Sequence, residues 1–187
     1  MIIGRGGKYP SPLPSKERND MILFFSILAG SVLLDQLSKW LAVVFLQAQP
    51  SVPLWREVLH LTFHTNKGAA WGILADNRWV FMVFSTVAIV GILYYVLRYR
   101  PKNPMLLVSL SMIAGGGIGN MIDRIFLGYV IDFIDFTLID FPIFNIADSF
   151  VCVGAGMMML YLVLDIVREY KKERAEKAVR DRESGDV

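Results

Sequence analysis

Asp132 and Asp148 are the residues through which this chain can do chemistry. They fall between two hydrophobic runs, in a stretch that also carries Asp123, Arg124, Asp135 and Asp140. Ionisable groups close to a bilayer are costly to place, and they mark chemistry, transport or a structural pair. Two carboxylates held close do not both ionise, so they share one proton across the working pH range. The ionised acid takes a proton from water; the protonated one donates to a peptide carbonyl and later to the leaving amine. The apparent pKa values then belong to the pair rather than to either member. Metal and serine chemistry lack support, because HExxH, a Cys/His cluster and GxSxG are all missing from the sequence. No metal and no cofactor is therefore expected. His60 and His64, four apart on an extended segment, read as polar surface.

The elements that must position these acids are membrane spans. The chain is 55% hydrophobic and 19% charged, with a mean hydropathy of +0.48; a soluble domain is roughly a quarter charged. The net charge of +2 is too small to argue for nucleic acid. The single cysteine, Cys152, excludes an internal disulfide and reads as a packed or lipid-facing thiol. The long apolar runs predict an all-α membrane protein of four spans, about 21–46, 79–97, 105–125 and 142–164. Residues 1–20 read as a disordered extension, and 21–167 as the four-span domain. Residues 47–78 form an outer connector and 127–141 an outer loop, and 168–187 a charged tail read as solvated helix. Within the connector, Val58 to Thr65 carries a weak strand signal, and Asn66 to Gly72 reads as a turn into a short helical piece. Trp55, Trp71 and Trp79 suit a membrane–water interface. Gly115 with Gly119, and Gly154 with Gly156, offer small faces for close helix contact.

Arg98, Arg100 and Lys102 follow span two, and Arg168, Lys171, Lys172 and Arg174 follow span four. Lys16 and Arg18 precede span one on the same side, which the positive-inside rule makes the cytoplasm. Depth then follows from helix rise. Asp123 is about 27 Å along span three, Asp148 roughly 9 Å into span four from outside, and Asp35 about two-thirds of the way across. Asp132 lies just beyond the outer edge. Four segments thus deliver polar groups to one layer near the outer surface. Each has a plainer alternative. Asp148 can cap or pair within span four, Asp123 with Arg124 can be a structural pair, and Asp35 with Lys39 a buried i,i+4 pair. Asp135 and Asp140 read as solvated loop residues. Asn66, Asn120 and Asn145 carry amides able to bind backbone or substrate. A small ion- or proton-coupled transporter is the alternative function; it would need internal repeats and polar groups at the midplane, and no repeat is visible.

Five blocks, DQLSK (Asp35 to Lys39), NKGAAWG (Asn66 to Gly72), GGGIGNMIDR (Gly115 to Arg124), YVIDFIDF (Tyr129 to Phe136) and FNIADSF (Phe144 to Phe150), resemble in order and spacing the lipoprotein signal peptidase family, signal peptidase II. The resemblance covers roughly 22–165 and implies a bacterial inner-membrane aspartyl endopeptidase; a monomer in contact with membrane lipid is expected. It implies cleavage of diacylglyceryl-modified prolipoproteins just before the lipidated cysteine, with inhibition by the cyclic peptide globomycin. Carried over by motif, Asp132 and Asp148 are the catalytic dyad. Asn66, Gly68, Asn120, Asp123, Arg124 and Asn145 line the site and orient substrate, and Asp35 and Lys39 support it from span one. A small outer sheet and short helix are implied over the site. Residues 1–20 and the tail exceed the family core, and the loop between the two acids is short.

Overall fold

The computed structural model describes residues 15–68, 78–139 and 141–185. Four helices long and apolar enough to cross a membrane carry the chain: α1 (Ser15–Leu46), α2 (Arg78–Tyr99), α3 (Pro104–Phe126) and α4 (Ile146–Gly185). Strands β1 (Val52–Trp55), β2 (Leu59–Asn66) and β3 (Val130–Asp135) form an antiparallel sheet in that order. The sheet caps the end of the bundle where α1 and α3 finish, and a 3₁₀ turn (Thr137–Ile139) follows β3. Large apolar side chains such as Leu33, Phe84 and Met159 point outward, as a bilayer solvent permits.

The helix ends follow local chemistry. Asn103 caps α3 by accepting from the Met105 and Leu106 N–H groups, with Pro104 at the first helical position. Gly128 takes φ 84°, a left-handed value that lets α3 stop and the chain turn into β3. Its N–H and that of Leu127 both reach the Asp123 carbonyl.

Several sequence expectations change. Helix α1 starts at Ser15, so residues 15–20 of the expected disordered extension are helical. Helix α4 starts at Ile146, because Asn145 caps it, not at Pro142. Asp148 is therefore in the first turn, about 4–5 Å from the helix end rather than the roughly 9 Å counted. The expected loop 127–141 contains β3, whose first four residues are buried on both faces and so lack alternation. Asp135 is half-buried on that strand and accepts from Thr62 Oγ1 at 2.8 Å, so it is not a free loop residue. The expected short helix of the connector, Trp71 and Asp140 lie outside the described residues.

Glycines set how closely the helices approach. A Cβ at Gly119 would meet the Asp35 carboxylate, and one at Gly116 the Ala147 carbonyl. Gly115 and Gly154 are also tight, though less so, against Ser31 and the Ser109 carbonyl. Gly156, expected to share the second packing face, has open space. Gly119→Ala is therefore expected to cost about 1–3 kcal/mol by overpacking. Gly156→Ala should leave the thermal midpoint unchanged or slightly raised, helices favouring Ala. Thermal unfolding of the two variants in detergent checks the contrast, and equal midpoints would refute it.

Candidate active site

Four elements meet beneath the sheet. Asp35 and Lys39 come from α1, one turn apart on its inward face, and pair at 2.9 Å with almost no exposure. Lys39 also pairs with Asp123 of α3 at 2.9 Å. Gln36 donates to Asp35, Asp123 and the Gly119 carbonyl. Asp35 Oδ1 accepts the Ala147 N–H, and Asp123 Oδ2 accepts that of Ile131. The ion cluster thus holds α1, α3, β3 and the start of α4 together. No buried side-chain polar atom among the described residues lacks a partner. That satisfies the condition for polar groups at membrane depth.

Above this cluster a cleft of about 480 Å³ is lined by Asn66, Gly68, Asn120, Arg124, Asp132 and Asp148, with Phe81 on one side and Ser149 and Cys152 on another. Val130 and residues 141–144 complete an apolar wall. Asp132 and Asp148 thus face one space. Asn145 joins them: its Nδ2 donates to Asp132 Oδ1 at 2.7 Å, and its backbone N–H to Asp148 Oδ2 at 3.2 Å. Asn145 Oδ1 in turn accepts the Asp148 N–H at 3.0 Å, a reciprocal cap of α4. Asn66 donates to Asp132 Oδ2 at 3.0 Å and Asn120 to Asp148 Oδ1 at 2.7 Å. Every oxygen of the two acids therefore receives an amide donor.

Burial, first, and the negative charge of Asp148 push Asp132 up to about 7; hydrogen bonds from Asn66 and Asn145 and the Lys39 charge oppose the rise. Asp132 is 1% exposed, which makes desolvation the dominant influence.

The structure brings all ten sequence-selected residues into one region, in two tiers. Asn66, Gly68, Asn120, Arg124, Asp132 and Asp148 reach the cleft. Asn145 and Asp123, expected to line it, are fully or almost fully buried behind it, because one bridges the acids and the other pairs with Lys39. Asp123 takes Lys39 as its partner, while Arg124 stacks over the Phe81 ring at 5.2 Å and donates to the Gly68 carbonyl at 3.4 Å. Cys152 is an exposed thiol at the cleft wall, one turn beyond Asp148, and so is not packed. Gln36 was not singled out from the sequence, although it stands inside DQLSK. Phe81 and the apolar wall had no local signal, since an apolar side chain on a span reads the same toward lipid or cleft. No group of three or more potential metal ligands occurs among the described residues.

Fold and site together define a polytopic membrane protein whose polar residues are gathered at one end of a four-helix bundle around a carboxylate-lined cleft. Two solved bacterial membrane enzymes share the architecture. One is 32% identical with a TM-score of 0.71, covering 76% of this chain and 88% of its own. The other is 33% identical with a TM-score of 0.67, covering 74% and 91%. The lipoprotein signal peptidase of Brevibacillus brevis is 44% identical over 142 residues, 76% of this chain and 95% of that protein. That of Bacillus subtilis is 40% identical over 154 residues, 81% and 100%. The model of the signal peptidase (SPase) II family matches residues 27–164. The chain belongs to the signal peptidase II family, and is a multi-pass membrane peptidase.

Proposed function

We propose that this peptidase removes signal peptides from prolipoproteins by aspartic chemistry, with Asp132 and Asp148 as the dyad. The observation that carries the reading is that both carboxylates face one cleft and are bridged by a single asparagine. Burial favours the shared proton on Asp132. Asp132 donates it to the scissile carbonyl while Asp148 accepts one from the attacking water, giving a tetrahedral diol. A proton passed to the amide nitrogen then lets the C–N bond break. A new carboxyl and a free amine leave, and the dyad again carries one proton. Arg124, Asn66 and Gly68 hold the substrate backbone from the rim.

The substrate is a precursor whose cysteine carries diacylglyceryl, cut just before that residue. The lipid keeps the scissile bond at the membrane surface, the level at which the sheet closes the bundle. The protein acts as a monomer in the bacterial cytoplasmic membrane, with both ends in the cytoplasm and the cleft at the outer face. The basic residues Arg98, Arg100 and Lys102, at the opposite end of the bundle from the cleft, support that orientation. Globomycin would occupy the cleft.

Purified protein incubated with a lipidated precursor is expected to yield two products whose masses sum to precursor plus one water, and globomycin stops the reaction. The rate should fall about tenfold per pH unit above about 7, because deprotonating Asp132 removes the acid. An intact precursor, or equal cleavage of the unlipidated form, would refute the reading.

A further inference from the structure

We propose that Lys39 is a positioning residue that sets both acids from beneath the cleft, chiefly by fixing which way the Asn120 amide points; the inference rests on the dyad reading above. The Lys39 ammonium has three N–H groups and no acceptor. They meet Asp35 Oδ2, Asp123 Oδ2 and Asn120 Oδ1, each at 2.9 Å. An amide that must offer its oxygen to Lys39 must turn its NH₂ the other way. Asn120 Nδ2 accordingly donates to Asp148 Oδ1 at 2.7 Å. The Asn145 amide, donating to the same Asn120 oxygen at 3.0 Å, enforces the same orientation. A flipped Asn120 would set its NH₂ against an ammonium and present an oxygen to Asp148. The Lys39 side chain is 3% exposed, so water cannot readily replace it in this role.

A second route runs to the other acid. Asp123 Oδ2, held by Lys39, accepts the N–H of Ile131, the residue before Asp132. One buried cation therefore reaches Asp148 through a side chain and Asp132 through the backbone of β3. The competing role for Lys39 is simple neutralisation of Asp35 and Asp123, and the two roles separate experimentally.

Lys39→Met with Asp35→Asn removes the cation and one carboxylate together, leaving the formal charge of the cluster unchanged. Asn120→Ala is then added in the wild-type and the doubly substituted backgrounds, and kcat and KM are measured on lipidated precursor in proteoliposomes. The double variant should lose about 30- to 100-fold in kcat with KM within about threefold, as for mispositioned catalytic groups. Asn120→Ala should cost about tenfold or more in the wild type and under about threefold in the double variant, because residues acting through one another are not additive. An equal cost in both backgrounds, or a double variant with wild-type kcat, overturns the proposal. Where the double variant yields too little folded protein, Lys39→Arg takes its place in the same cycle; it keeps the charge but loses the compact three-acceptor geometry. Asp132→Asn runs beside them: normal cleavage by that variant would sink the dyad itself, whatever the cycle shows.

Discussion

Asp132→Asn and Asp148→Asn are each expected to lower the cleavage rate by on the order of 10³-fold or more, the scale of losing a positioned acid or base. Both proteins should still insert and fold. The carboxylates accept hydrogen bonds on all four oxygens. An asparagine keeps one acceptor at each site and turns an NH₂ toward an existing donor. That mismatch costs about 1–3 kcal/mol, which lowers the thermal midpoint without unfolding the bundle. Asp135→Asn serves as the control. Asp135 sits three residues along the same strand, and among the described residues its carboxylate accepts from Thr62. Asparagine keeps that acceptor, so the rate should stay within about twofold. Initial rates on lipidated precursor, read beside thermal unfolding, test all three. Cleavage by either dyad variant within about tenfold of wild type would end the assignment.

Much of this site was legible from helix rise and residue type. Counting along the expected spans puts Asp35, Asp123 and Asp148 in one layer with Asp132 just beyond it, and a bilayer gives isolated carboxylates no reason to agree. What stayed hidden depended on partners. Asp123 and Arg124 are adjacent in sequence, yet helix geometry points neighbours about 100° apart, so one meets Lys39 and the other Phe81. Strand β3 reads as loop in the sequence because its first four residues are buried on both faces and its aspartates break any apolar run. Sequence places the start of α4 too early because Pro142 and Ile143 continue the apolar composition, while the true start is written in Asn145 and Asp148 as a cap. The glycine faces show the same limit. Gly154 and Gly156 look alike in sequence, and only the position of α3 decides that the first is filled and the second open.

Asn145→Ala should combine a large kinetic loss with a clear loss of stability, and a second variant separates them. The side chain does two jobs with opposite ends of one amide. Its oxygen caps α4 through the Asp148 N–H; its NH₂ contacts Asp132 Oδ1, Asn120 Oδ1 and the Ile131 carbonyl. Removing the cap costs about 1 kcal/mol. Leaving buried partners unpaired adds about 1–3 kcal/mol. The rate should fall by on the order of 10²-fold, since both acids lose a shared reference point. Asn145→Ser keeps a capping oxygen, but its side chain is too short to reach Asp132. It should therefore recover much of the thermal midpoint and little of the rate. Recovery of both would reduce Asn145 to a helix cap. Recovery of stability alone would show that the N-terminus of α4 and the spacing of the two acids are governed by separate atoms of one residue, which no shorter capping side chain can supply.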